Sequence, residues 1–282
     1  MGCDCHIHMV LDGENWRDAI ARHKNAPDEA FVRRTLERYA RLGFTYLRDG
    51  GDRWGVGLLA KRIAPEYGIR YVSPGAPLCK AGHYGGFIGE KYADGAEYTA
   101  LVEKQRAKGA DFVKLMISGI MDFDHFGVLS EPGMEPGEIR QVIRAAKDKG
   151  LSVMAHANGA ETVTAAAEAG VDTIEHGAYL NREALEAMRE NNVIWVPTLS
   201  AIGNLRGRSR FDEQAVERIL KSAMENVALF AAMGGFLAPG TDAGAWAVPH
   251  GSLTEYALLR ECLGEGWARV LDRGTKELEA RF

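Results

Sequence analysis

DFVKLMIS at 111–118, PGEIRQVIRAAKDK at 136–149 and LSVMAHA at 151–157 are the pieces on which the fold turns. The first and third are apolar runs of strand length. The second sets Ile139, Val142, Ile143 and Ala146 on one face at helical spacing and stops at Gly150. Strand, amphipathic helix and strand make a unit that argues for a parallel sheet with a helical crossover.

The same alternation runs through the chain. Further strands are expected at about 3–9, 44–49, 70–74, 171–176, 193–198 and 236–241, which brings the total to eight. The helix expected from Asp28 to Leu42 carries Phe31, Val32, Leu36 and Tyr39 on one face, with Asp28 as its N-cap and Gly43 as its stop. Segments 181–191 and 212–233 follow the same pattern. Eight such units predict an α/β fold, a (β/α)8 TIM barrel. An open doubly wound sheet is the alternative, and periodicity alone does not separate the two. The glycine fingerprint of a dinucleotide site, missing after the first strand, weakens it. Three long, Gly-rich loops at 78–91, 118–133 and 199–210 follow predicted strands, where the active-site loops of a barrel belong.

Composition narrows the function. The 282 residues carry 34 Lys and Arg against 39 Asp and Glu, a net charge of −5. No basic excess exists to meet a phosphate backbone, so nucleic acid is not an expected partner. No apolar run reaches the roughly 18 residues of a membrane span. The N-terminus lacks the basic and apolar regions of a signal peptide. Cys3, Cys5, Cys79 and Cys262 are too few for a disulfide scaffold, so the expected location is the cytoplasm. One barrel domain over 1–282 is expected, acting on a small molecule, with homo-oligomerisation left open.

The chemistry sits at the strand ends. Residues two apart in a strand face the same way, so His6 and His8 share a face with Asp4, and Cys3, Cys5 and Ile7 face the helices as packing residues. A His-x-His pair alone is weak evidence for a metal. Lys114 in the fourth strand, His156 in the fifth, His176 in the sixth and Asp242 after the eighth change that. All fall at C-terminal strand ends, the catalytic face of a barrel, and packing does not account for such a set. Imidazoles and carboxylates are ligands for Zn²⁺ and similar ions. A lysine carbamate would add two bridging oxygens. Two metals about 3.5–4 Å apart would then hold a bridging hydroxide that is nucleophilic at neutral pH.

In this order, His-x-His, lysine, histidine, histidine and aspartate resemble the amidohydrolase superfamily. The segments at 110–115 and 240–244 resemble its binuclear branch of Xaa-Pro dipeptidases and imidazolonepropionase-related hydrolases. The resemblance implies that His6, His8 and Asp242 bind a buried metal, that His156 and His176 bind an outer one, and that Lys114, carboxylated by CO2, bridges them. It implies two divalent ions, zinc foremost, and Asp242 as proton shuttle. The loop Ala81-Gly82-His83-Tyr84-Gly85 resembles the branch's substrate-contacting loop, and His250-Gly251 followed by Glu255 resembles its segment after strand eight. Lys114 speaks against imidazolonepropionase itself. The accessory β-sandwich usual near this branch is expected to be absent or vestigial here.

The expected activity is hydrolysis of a C–N, amide-type bond. A mononuclear metal-dependent lyase or decarboxylase, a lactone or ester hydrolase, and a non-catalytic binding barrel are the alternatives. Expected substrate contacts are His83, Tyr179 and His250. His125 is a candidate for the pocket lining and Trp246 for a pocket wall. Trp195 is expected to pack and His23 to be exposed. Arg48 and Asp49 are read either as support beneath His6 or His8 or as an interior ion pair.

Overall fold

A computed structural model describes residues 2–282. Its strands, all parallel where paired, are β1 (Cys3–Ile7), β2 (Tyr46–Asp49), β3 (Arg70–Val72), β4 (Leu78–Lys80), β5 (Glu90–Tyr92), β6 (Val113–Met116), β7 (Val153–Ala157), β8 (Thr173–His176), β9 (Ile194–Val196) and β10 (Phe236–Leu237). Each of the eight expected strands is present. They form one run of β1, β2 and β3 and another of β10, β9, β8, β7, β6, β4 and β5.

Backbone hydrogen bonds join the two runs into the barrel. Cys5 N donates to Pro239 O (2.8 Å), Asp242 N to His6 O (2.8 Å) and His8 N to Ala243 O (2.7 Å), which ties β1 to the segment after β10. On the other side Asp111 N donates to Ser73 O (2.9 Å). The 78–91 segment, expected as a loop, contains β4 and β5. The third stave is in two pieces: β3 pairs with β2, and β4 sits beside β6 with Leu78 opposite Leu115.

The helices begin where their caps predict. Asp28 accepts from Phe31 N, Asn181 from Ala184 N and Asp212 from Ala215 N. Between barrel and helices, Ile7 and Leu47 pack with Val32 and Leu36. Inside lies a separate cluster that includes Tyr46, Phe112, Met154, Ile194 and Val196. The helix Trp267–Arg281 closes its lower end, with Leu278 in the cluster and Phe282 against Phe112 at 5.0 Å between ring centroids.

Two expectations are corrected. The register of β1 against β2 slips between Asp4 and Ile7. This bulge breaks strict alternation, so Cys3 and Cys5 belong to the interior cluster while Ile7 packs with the helices. Asp4 bonds Thr241 instead of joining the histidines. His23 is buried, not exposed, because its Nδ1 accepts from Asp28 N (3.0 Å) and its ring packs on Phe31.

Gly274 tests the docking of the last helix. A Cβ there would run into the Leu237 backbone. Alanine improves helix propensity by about 1 kcal/mol, but overpacking against rigid backbone costs about 1–3 kcal/mol. Gly274→Ala should therefore lower the urea midpoint of unfolding. A higher midpoint would show that the helix is not seated on β10.

Candidate metal centre

His6 lies at the end of β1 and His8 just beyond it. One ligand atom each from His6, His8 and Asp242 lies within 4.8 Å of the others. The His6 and His8 Nε2 atoms are 3.3 Å apart, and Asp242 Oδ1 is 3.1 Å from His8 Nε2 and 3.5 Å from His6 Nε2. The His176 ring lies 5.1 Å from His6 and 4.5 Å from His156, between centroids. Lys114, His156, His176, His8 and Asp242 line one cavity.

The backbone is bent to achieve this. Regular alternation turns the neighbour of an inward residue outward. Glu175 points inward, yet His176 also reaches the centre, because it adopts φ 68°. Asp242 sits at φ 59°, and Thr198, whose Oγ1 lies 2.7 Å from His176 Nδ1, at φ 50°. Left-handed backbone at a non-glycine residue costs about 1–3 kcal/mol and concentrates at functional sites. Gly50 leaves room for the His8 ring, since a Cβ there would lie 2.7 Å from His8 Nδ1.

His6, His8 and Asp242 are braced by neighbouring strands and loops. Glu175 Oε2 takes His6 Nδ1 at 2.7 Å, so the Nε2 lone pair is the one aimed at the centre. The other Glu175 oxygen accepts from Arg48 (2.8 Å), whose Nε also donates to Cys5 O (2.7 Å). Arg48 is thus at once an interior ion-pair partner and the support beneath His6. Asp49 accepts from Met9 N (3.2 Å), which steadies the chain next to His8. The Thr241 peptide before Asp242 is clamped: Asp4 accepts from its N–H (2.9 Å), and Ser200 Oγ donates to its carbonyl (2.6 Å). Glu255 accepts from Ser200 N (2.7 Å).

The donor set fits a cation. Burial, followed by the charge of Lys114, holds His6 well below its usual range and His156 at about 3, so both imidazoles are neutral. Burial, followed by the neighbouring histidine His156, does the same to His176. Burial pulls the Lys114 ammonium down to about 8, against the charge of Glu175. Lys114 Nζ, His8 Nδ1 and Asp242 Oδ1 are buried without a hydrogen-bond partner. Asp242 Oδ1 and the facing His6 and His8 Nε2 atoms form a crowded acceptor set of the kind that a divalent ion satisfies.

The cavity above has a volume of about 550 Å³. Trp246 forms part of its wall, and Trp195 is buried in the core. The expected substrate residues lie differently. His83 stands 3.5 Å from Glu131, and its neighbour Tyr84 lines the cavity instead, with its ring 5.0 Å from His156. Tyr179 packs on Phe126 with its hydroxyl free. Both His250 nitrogens are engaged, by Tyr39 Oη (3.1 Å) and Leu11 O (2.9 Å). His125 is exposed and bonds Asp122. Glu175 carried no role in the sequence reading. Its signal was an acid in the interior parity of a strand, opposite an arginine in the interior parity of β2.

Comparison with known proteins places this geometry in context. A family model described as "Amidohydrolase family" matches residues 2–266. Ochratoxinase of Aspergillus niger is 30% identical over 240 residues, spanning 71% of this chain and 47% of that protein. An uncharacterized Mycobacterium tuberculosis protein is 28% identical over 206 residues, covering 72% of this chain and 51% of its own. The chain thus spans about half the length of these relatives. Among solved structures, a Xaa-Pro dipeptidase with bound methionine superposes with a TM-score of 0.81 at 23% identity, covering 99% of this chain and 75% of that one. The A. niger ochratoxinase structure gives 0.78 at 22%, covering 95% and 68%.

Glu175→Gln tests the brace. It leaves the Arg48 charge buried and uncompensated, which costs about 3–5 kcal/mol of stability. Zinc affinity, read by chelator competition, should fall about 10–100-fold. Unchanged affinity would show that the aim of His6 does not depend on Glu175.

Proposed function

Because the chain belongs to the amidohydrolase family, we propose that it is a metal-dependent hydrolase of a C–N, amide-type bond in a small molecule. The observation that carries this reading is the convergence of His6, His8 and Asp242 ligand atoms at the floor of a large cavity. The Xaa-Pro dipeptidase that shares the fold acts, by its name, on a peptide bond.

His6, His8 and Asp242 would hold one divalent ion, and His156 and His176 a second; zinc suits these nitrogen and oxygen donors. Lys114 would lie between them. Its neutral amine adds to the carbon of CO2 and releases a proton, and the resulting carbamate offers two oxygens. When bound, the ions supply Lewis acidity, polarising the amide carbonyl and making water acidic enough to attack at neutral pH. Asp242 accepts the proton of the attacking water and delivers it to the leaving nitrogen. The Thr241 clamp holds that carboxylate in place, and aromatic residues line the cavity above it. His83 and Tyr179 lie outside the cavity lining and both His250 nitrogens are taken, so Tyr84 is the substrate contact proposed from this group.

We read residues 1–282 as one catalytic domain. None of the described helices is long and apolar enough to cross a membrane. The cysteines are free, which supports a reducing, cytoplasmic setting.

Protein saturated with zinc and bicarbonate should contain close to two ions per chain by elemental analysis. At most one ion would favour the mononuclear lyase, for which the His6, His8 and Asp242 trio suffices. Lys114→Ala should lose metal and most turnover, with partial rescue by acetate at high concentration; a full complement and full activity would eliminate the carbamate.

Asp242→Asn keeps an oxygen for the metal but removes the base. Metal content should largely survive while kcat falls about 10²–10⁴-fold. Near-normal turnover would place the proton shuttle elsewhere.

A further inference from the structure

The cavity above the metal centre is apolar on most of its wall, with Trp16, Phe87, Met121, Phe123, Phe211 and Trp246 among its residues. Apart from Lys114 on the floor, Arg210 is the only Lys or Arg in the lining. It lies in the 199–210 segment after β9. Its Cζ stands 4.3 Å from the Trp246 ring centroid and 5.3 Å from that of Phe211.

Three arginines populate this segment, and two are committed. Arg206 pairs with Glu217 (3.7 Å) and Arg208 donates to Asn204 O (2.8 Å). Arg210 makes no hydrogen bond or ion pair within the described residues. The two rings stand edge-to-face at 83° and hold the cation against the cavity wall without taking any of its N–H groups. The in-plane N–H edge is left over, and that edge matches a carboxylate in two parallel hydrogen bonds.

The acids near the rim do not cancel this charge: Asp124 accepts from Asp212 N (2.8 Å) and Asp212 from Ala215 N (2.7 Å). Asp122 lines the cavity, but it is held by the His125 ring (3.0 Å) and the N–H groups of Asp124 (2.9 Å) and His125 (3.2 Å). Its charge is satisfied locally. The cavity thus offers a metal centre at the floor, an aromatic waist and an unpaired cation at the rim.

Resting on the amidohydrolase reading, we propose that Arg210 is a specificity-determining residue. It selects amides that carry a carboxylate separated from the scissile bond by an aromatic or other bulky apolar group. The apolar group fills the waist, the carboxylate meets the Arg210 edge, and the scissile carbonyl lies at the floor. A hydrogen bond to a charged group discriminates by about 10–100-fold. Arg210 is exposed, so screening by solvent puts the expected effect near the lower end, about tenfold.

The test uses metal-loaded protein with 4-(acetamidomethyl)benzoate and its uncharged carboxamide, in which the ring lies between scissile amide and carboxylate, and tryptophan fluorescence with 3-phenylpropanoate and 3-phenylpropanamide. The wild type should prefer the acid about tenfold in kcat/KM and the propanoate about tenfold in Kd. In Arg210→Gln both preferences should fall to near one, the kinetic one through KM, with metal content unchanged. Arg210→Lys should restore only part, since an ammonium lacks the planar fork. Preferences that are absent in the wild type, or that survive Arg210→Gln, would overturn the proposal. If neither substrate turns over but the propanoate preference depends on Arg210, the anion site stands and the hydrolase reading is what fails. If that preference is also absent, the anion site fails with it.

Discussion

The ion pair between Arg48 and Glu175, 2.8 Å long and buried inside the barrel, is the contact from which the site is built. A buried pair is poor evidence for stability, because desolvation can exceed its Coulomb attraction. Its consequence here is orientation. Glu175 is held by Arg48 and by Thr173 Oγ1 at 2.5 Å, and its remaining oxygen fixes the His6 ring. Arg48 is held in turn by Cys5 O and lies 4.6 Å over the Phe282 ring. One network thus links the C-terminal residue, three barrel strands and the first ligand candidate. It also explains why charged groups are kept in an interior that hydrophobic residues could fill.

The rest of the centre is arranged by local departures from regular strand geometry. The β1 bulge lets His6 point inward next to the interior Cys5. Left-handed backbone at His176 and Asp242 turns side chains inward that regular strands would turn out. Each departure is held by its surroundings: the Thr198 hydroxyl at His176, and the Asp4 and Ser200 bonds at Thr241 before Asp242. Such strain persists only where the fold over-determines it. Above this floor, stacked aromatic residues shape a pocket whose free charge is Arg210.

The strands and helix caps were legible because their signals are local. Asp28, Asn181 and Asp212 cap the helices they precede, and all eight expected strands formed. The six ligand candidates were visible as polar residues in positions where packing needs none. What escaped depends on non-local register. The bulge in β1 reverses Cys3 and Cys5 through pairing with β2 and the segment after β10, and no spacing within β1 reveals that. The 78–91 stretch resembled a loop because its glycines hid two three-residue strands completed by β6. Glu175 gained meaning only when Arg48 and His6 met it from other strands. His23 and His250 were ambiguous for the same reason: a histidine with a backbone partner and one facing a ligand have the same one-letter code.

The central claim is that these side chains converge to hold two ions side by side. Anomalous diffraction at the zinc edge from crystals grown with zinc and bicarbonate tests it most directly. Two peaks about 3.5–4 Å apart are predicted, one touching His6, His8 and Asp242 and the other His156 and His176, with continuous density from Lys114 between them. A single peak on the His6, His8 and Asp242 side, with an unmodified Lys114, would contradict the account.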